Sequence, residues 1–83
     1  MTSLPAAFSA ELVGRRVVDM RGDLLGLVRE LLIDTDSGGV LGLLLELDAG
    51  LDASLLPWPS HSGLLLVPTG EVERVDEDVH LNR

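Results

Sequence analysis

The sequence has no cysteine, no tyrosine and no lysine, and only one phenylalanine and one tryptophan. Without cysteine there are no disulfides, thiolate metal ligands or cysteine nucleophiles, and the chain suits a reducing compartment, so we expect a cytoplasmic location. Because aromatic side chains are so few, the core must consist of the Leu and Val residues that dominate its 46% hydrophobic content. No run of about 20 apolar residues and no secretion signal is present, so membrane insertion is not expected.

Negative charge exceeds positive charge by a wide margin. Fourteen acidic residues stand against six arginines, which gives a formal net charge of −8 at pH 7. A chain of this charge repels the phosphates of nucleic acids and of anionic lipid headgroups, so direct binding to either is not expected. The ordinary use of such a surface is to keep an unusually aliphatic small protein in solution.

The length of 83 residues allows one domain. Residues 1–10 contain Pro5 and small side chains without any period, and they are predicted to form a flexible tail. The folded domain is predicted to span residues 11–83. A domain of this size buries only about 60 to 65% of the surface that its unfolded chain exposes, so it needs an aliphatic core or self-association.

Two apolar runs separated by a glycine-rich turn predict a β-hairpin in the middle of the chain. The runs are Leu24–Asp34 and Val40–Leu47, and the turn ends in Gly38-Gly39. Side chains alternate between the two faces of a strand. The second run is therefore predicted to direct one set of leucines into the core and to leave Val40 and Leu44 on the opposite face; the core-facing set is Leu41, Leu43, Leu45 and Leu47.

The first run cannot bury all its apolar side chains in one register, because the charged pair Arg29-Glu30 interrupts it. A β-bulge near this pair would switch the inward-facing set from Val28 to Leu31 and Ile33. The run is long enough to be a helix, but the glycine at position 26 and the turn that follows favour a strand.

Several short motifs follow one another from about Glu11 to Leu81. They are a Leu-x-Gly start, a Val and an Asp before a turn glycine, a Leu-Gly-x-Val segment, an apolar strand ending in Asp, a glycine turn and a late Val-Pro pair. In this sequence they are Leu12-Val13-Gly14, Val17-Val18-Asp19, Gly22, Leu25-Gly26-Leu27-Val28, Leu31-Leu32-Ile33-Asp34, Gly38-Gly39-Val40 and Leu66-Val67-Pro68. In this order and spacing the motifs resemble the PRC-barrel family.

The resemblance implies an all-β fold, a small PRC-barrel-like antiparallel β-barrel of about five to six strands. It also implies a non-catalytic module that binds protein partners and often itself. The family includes the cytoplasmic domain of the photosynthetic reaction-centre H subunit and the C-terminal domain of a ribosome-maturation factor, neither of which is an enzyme. One position departs from the pattern: the family often has Trp after the Val-Pro pair, where this sequence has Thr69, and its only Trp is Trp58.

The patterns that would indicate a cofactor, a metal or a catalytic centre are incomplete. Asp34 and Asp36 start a segment like the first half of an EF-hand loop, but Leu45 stands where the bidentate Glu is required. His61 and His80 have no motif that would bring them together with a third group. We therefore predict no catalytic residue, no cofactor and no metal site.

Aliphatic side chains exceed what a small barrel can bury, which makes some of them candidates for binding a partner. Three explanations stay open: the loop after the hairpin covers them, a second copy of the chain covers them in a homodimer, or another protein does. The candidate partner-binding residues are Val40, Leu44, Leu55, Leu56 and Trp58.

The function predicted from the sequence is a non-catalytic protein–protein interaction or adaptor module that self-associates as a homodimer. The alternative is a ribosome-assembly accessory that binds a basic ribosomal protein through its acidic surface. A small hydrolase or a metal-binding protein ranks third, because no complete motif supports either.

Overall fold

The described residues form eight strands joined in a single sheet. The computed structural model describes the backbone of residues 4–5 and 9–83, with side chains from Glu11 onward. One helical turn, α1 (Ser9–Leu12), precedes the main strands. The strands are β1 (Leu4–Pro5), β2 (Arg16–Val18), β3 (Leu24–Ile33), β4 (Gly39–Leu47), β5 (Ser60–His61), β6 (Leu64–Pro68), β7 (Val72–Val75) and β8 (Val79–Leu81).

The strand order in the sheet is β5-β6-β4-β3-β2-β8-β7, and β1 pairs with the edge of β4 that β6 also uses. Pairing is antiparallel throughout, except that β2 and β8 run parallel. The predicted all-β, PRC-barrel-like fold is confirmed. The strands are more numerous than the expected five or six, because the two-residue strands β1 and β5, together with β7, lack a sequence signal.

Among the side chains that the structure describes, the core is aliphatic apart from Trp58, in keeping with the composition. Among the described residues no polar or charged side chain is buried. The fully buried side chains come from five strands of the sheet, so a single cluster spans it from β6 to β8. The largest are Leu43, Leu45, Leu81, Val17, Val28, Val40, Val67 and Val79.

The hairpin of β3 and β4 contains the predicted bulge. Val28 pairs with Leu45 and Glu30 with Leu44, which leaves Arg29 as the extra residue. Beyond the bulge Leu31 packs against the core. The other residue expected to turn inward, Ile33, lies opposite the buried Val40 but stays 39% exposed at the end of the hairpin.

A second irregularity in the same hairpin overturns part of the predicted pattern for β4. Leu32 pairs with Gly42 and Ile33 with Val40, so Leu41 is an extra residue without a partner on β3. The alternation of faces therefore reverses at this point. Val40 is fully buried in the core and Leu41 is 50% exposed, the opposite of the prediction for both residues.

A 3-10 turn at Thr69–Glu71 connects β6 to β7, the strands near the two ends of the sheet. The Thr69 hydroxyl donates to the carbonyl of Leu41 at 3.2 Å. The backbone N–H of Asn82, directly after β8, donates to the Glu71 carbonyl at 2.9 Å. These bonds tie the turn to β4 and to the end of β8.

The first ten residues are described only in part. Within the segment predicted as a tail, Leu4 pairs with Val40 and Pro5 with Gly39, so the backbone is ordered into a strand at these two positions. Ser9 and Ala10 begin α1. The rest of the predicted tail, residues 1–3 and 6–8, lies outside the described residues.

Gly26 allows the close approach of β3 and β4. A Cβ at this position would lie 3.0 Å from Glu46 C and from Leu47 Cα, which are backbone atoms that cannot rotate aside. Gly26→Ala should therefore lower the free energy of unfolding by about 1–3 kcal/mol, the usual cost of forcing extra atoms into a packed interior.

Gly50→Ala is the matched control for this measurement by urea denaturation. The nearest atom to a Cβ at Gly50 would be Asp48 Oδ2 at 3.7 Å, which is an ordinary contact. Equal stability of the two variants would contradict the tight approach of the strands at Gly26.

Candidate functional site

The five candidate partner-binding residues do not form one exposed surface. Val40 is fully buried in the core, because the extra residue at Leu41 turns it inward. Trp58 is 7% exposed and belongs to the same core cluster. Leu56 is half-buried and packs against that cluster. Leu55 alone protrudes, at 81% exposure.

Leu44 lies on the outward face of β4, as predicted, yet it is only 5% exposed within the single chain. It pairs with Glu30 on one side and Leu66 on the other, and it is not part of the main core cluster. The chain itself therefore covers Leu44, and this side chain needs no second copy to remove it from water.

Trp58 is held in place by a carboxylate thirteen residues away. Its indole N–H donates to Glu71 Oε2 at 2.8 Å. Arg83 contacts the other oxygen, Oε1, as an ion pair without hydrogen-bond geometry. Trp58 in the loop after β4 and Arg83 thus both contact Glu71 of the 3-10 turn. The hydrogen bond from Trp58 secures the loop that carries Leu55.

A concave site of about 330 Å³ lies where β3 begins and β4 ends. Two of its leucines, Leu24 and Leu27, are 38% and 39% exposed. Leu27 faces outward because its neighbour Val28 faces the core, so the same alternation could have identified it from the sequence. We call this site the β3–β4 groove; its lining residues are Leu24, Gly26, Leu27, Glu46, Leu47, Asp48 and Ala49.

Two of the residues that line the β3–β4 groove, Glu46 and Asp48, carry carboxylates. Arg29 donates to Glu46 Oε2 at 2.9 Å, and both side chains are more than half exposed, so solvent screens this pair. Among the described side chains, none forms an ion pair or a hydrogen bond with the Asp48 carboxylate. The groove therefore combines apolar and negatively charged residues in its lining.

The side chains considered for metal or catalytic chemistry have separate surroundings. Asp34 accepts from the N–H of Asp36 at 2.9 Å within the hairpin turn, and this bond lowers the pKa of Asp34. His80 Nε2 lies 2.9 Å from Asp76 Oδ1, whereas His61 is exposed on β5. Within residues 11–83 no group of three or more His, Asp or Glu side chains is placed to hold a metal ion.

The turn between β7 and β8 concentrates charge around Asp76. The N–H of Asp78 donates to Asp76 Oδ1 at 2.9 Å, and Arg74 forms an ion pair with Oδ2. These contacts, led by the backbone hydrogen bond and followed by the one to His80, lower the pKa of Asp76 to about 2. Asp78 in turn pairs with Arg16 at 3.0 Å, which fastens the turn to β2.

These observations define the class of protein as a small β-barrel domain with an external groove. The family model of the PRC-barrel domain matches residues 5–82, nearly the whole chain. The chain belongs to the PRC-barrel domain family, which confirms the resemblance found in the sequence. No curated protein matches the chain. No described helix is long and apolar enough to cross a membrane.

The fold resembles that of a larger protein of known structure, described as a 16S ribosomal RNA processing protein, RimM, from Pseudomonas aeruginosa. The TM-score is 0.58 at 24% sequence identity, and the match covers 96% of this chain. The chain spans 45% of the length of that protein. At this identity the similarity shows a shared fold and carries no function over to this chain.

The buried position of Leu44 changes what a substitution there should do. Leu44→Glu would place a carboxylate where the single chain excludes water, so we expect it to lower the free energy of unfolding by at least about 2 kcal/mol. Circular dichroism during thermal unfolding measures the loss, and Leu55→Glu is the exposed control that should unfold like the parent. A fully stable Leu44→Glu variant that changed only from dimer to monomer would contradict the burial.

The depressed pKa of Asp76 predicts acid sensitivity with a defined sign. A carboxyl whose pKa falls from 3.8 to about 2 on folding adds stability above its unfolded pKa, and that stability disappears as the pH falls towards 2. Asp76→Asn keeps an acceptor for the Asp78 N–H but does not titrate. We therefore expect the melting temperature of Asp76→Asn to fall less between pH 5 and pH 2 than that of the parent.

Glu77→Gln is the control for this pH series, because it removes an adjacent carboxyl that receives none of the hydrogen bonds of the described turn. Its melting temperature should fall with pH as steeply as that of the parent. The same steep fall in Asp76→Asn would show that Asp76 does not carry the acid sensitivity.

Proposed function

We propose that this chain is a non-catalytic protein-binding module, an adaptor, and that it binds its partner at the β3–β4 groove. The observation that carries the proposal is the pair of outward leucines, Leu24 and Leu27, in a concave site of about 330 Å³. A pocket of this kind accepts one or two aliphatic side chains, which is how a small number of buried anchors dominate protein interfaces.

The groove lies on two long paired strands rather than on a loop. Leu27 pairs with Glu46 of β4 on one side and with Arg16 of β2 on the other. Ladder hydrogen bonds on both sides fix the backbone beneath the leucine, so little conformational entropy is lost when a partner binds. A site prepared in this way can bind well through a small contact area.

A substitution in the groove, compared with one at an exposed leucine outside it, tests the proposal. In a pull-down with the tagged chain from its own host, Leu27→Ser should lose at least about nine-tenths of the captured protein, since a buried leucine contributes more than a tenfold factor in affinity. Leu32→Ser is the matched control: it lies on the same strand and is 38% exposed, against 39% for Leu27, but lies outside the groove. Equal loss in both variants, or in neither, would contradict the proposal.

A second candidate function is a ribosome-assembly accessory that binds a basic ribosomal protein. It is supported by the shared fold with RimM and by the net charge of −8. Sedimentation of a host lysate distinguishes it from other adaptors, because the parent chain would migrate with a small-subunit precursor and Leu27→Ser would not. Migration of the parent only in the light fractions would oppose this candidate.

Self-association is a separate part of the proposal. Leu55 protrudes and Leu51 in the same loop is 39% exposed, so this loop offers an apolar surface to a second copy. Light scattering coupled to size exclusion gives the mass directly. A dimer that became monomeric in Leu55→Ser would support self-association through the loop, and a monomeric parent at tens of micromolar would exclude a homodimer of ordinary affinity.

A further inference from the structure

We infer that the β3–β4 groove takes a segment of a partner protein in which an aliphatic side chain is flanked by arginine or lysine. This inference rests on the proposed function and specifies the chemistry of the partner. It depends on the juxtaposition of apolar Leu24, Leu27 and Ala49 with the carboxylates of Glu46 and Asp48 in one concavity.

The apolar part of the groove selects an aliphatic anchor. Gly26 and Leu47 also line the concavity, and Leu47 packs against the core. The aromatic-free lining gives neither an indole nor a phenol ring on which a cation or a nucleobase could stack. An aliphatic side chain that enters the groove removes its own apolar surface and that of both exposed leucines from water.

The charges around the groove select the residues that flank this anchor. The two nearest arginines on the paired strands are already engaged: Arg29 with Glu46, and Arg16 with Asp78 through bonds of 3.2 and 3.0 Å. Glu46 has a second carboxylate oxygen, and the described side chains leave the Asp48 carboxylate without an ion pair. A partner cation beside the anchor would therefore meet uncompensated negative charge.

The net charge of the whole chain favours the same kind of partner. Its net charge of −8 attracts a cationic segment from a distance and repels an anionic one. A second copy of this chain would bring the same net negative charge to the groove, so it fits this site less well than a basic protein does. Nucleic acid would meet both the carboxylates and the net negative charge.

Three short fluorescent peptides test the inference on the intact chain. The Arg-Leu peptide is acetyl-Arg-Leu-Arg-Leu-Arg-amide, the Glu-Leu peptide has Glu in place of each Arg, and the Arg-Ser peptide has Ser in place of each Leu. Fluorescence anisotropy gives the affinity of each. We expect the Arg-Leu peptide to bind best, at least about tenfold tighter than either of the others in low salt.

Variants of the chain then locate the binding site. Leu27→Ser should weaken binding of the Arg-Leu peptide by at least about tenfold, while Leu32→Ser leaves it unchanged. Asp48→Asn should weaken binding by about twofold to fivefold and reduce its salt dependence, whereas Asp36→Asn in the distant hairpin turn should do neither. Circular dichroism establishes that each variant is folded, and Leu24→Ser serves as the second groove variant should Leu27→Ser unfold.

The outcomes separate this inference from the proposed function. Equal binding of the Arg-Leu and Glu-Leu peptides, or of the Arg-Leu and Arg-Ser peptides, would overturn the inference. So would undetectable binding of the Arg-Leu peptide at millimolar concentration. If Leu27→Ser nevertheless abolished capture of a protein from the host, the groove would still be a binding site, but for a partner of different chemistry.

Discussion

The fold depends on β4, the strand to which three others are hydrogen-bonded. It pairs with β3 on one edge and with β6 and β1 on the other. Its fully buried Leu43 and Leu45 place aliphatic volume at the centre of a core whose described members are aliphatic apart from Trp58. Because no described polar side chain is buried, the barrel is held by close packing and by the backbone hydrogen bonds of these ladders.

The pairing of β4 with β3 also creates the groove. Gly26 lets the two backbones approach closely, and the core position of Val28 obliges Leu27 to face outward. Asp48 and Ala49, which follow β4 directly in the sequence, also line the concavity. The interaction that stabilises the barrel therefore also positions the leucines and carboxylates on which the proposed binding depends.

The parts of the fold that local patterns specify could be predicted from the sequence. The charged pair Arg29-Glu30 in an apolar run indicates the first bulge, because no uniform alternation can keep such a pair out of the core. The second bulge has no such signal: Val40 and Leu41 are both aliphatic, and either could face the core. Only the register between the strands decides that Val40 is inside.

Contacts between distant parts of the chain account for what the sequence leaves open. The parallel pairing of β2 with β8 joins residues about sixty positions apart, and the burial of Trp58 depends on Glu71 across a turn. The candidate residues Val40, Leu44 and Trp58 follow from an excess of apolar side chains in the sequence. The register of β4 with its neighbours buries Val40 and Leu44, and the loop after β4 buries Trp58. The alternation of side chains in β3 predicts that Leu27 faces outward. Both faces of this strand are apolar, however, so the sequence does not single out Leu27 as a binding residue.

The central claim is that a partner protein contacts the β3–β4 groove, and methyl cross-saturation NMR tests it most directly. The chain would carry labelled leucine methyl groups in a deuterated background, bound to the unlabelled protein recovered from its host. Saturation of the partner should attenuate the methyl signals of Leu24 and Leu27 and leave those of Leu32 and the buried Leu43 unaffected. Attenuation confined to Leu32, or spread equally over all exposed leucines, would contradict the account.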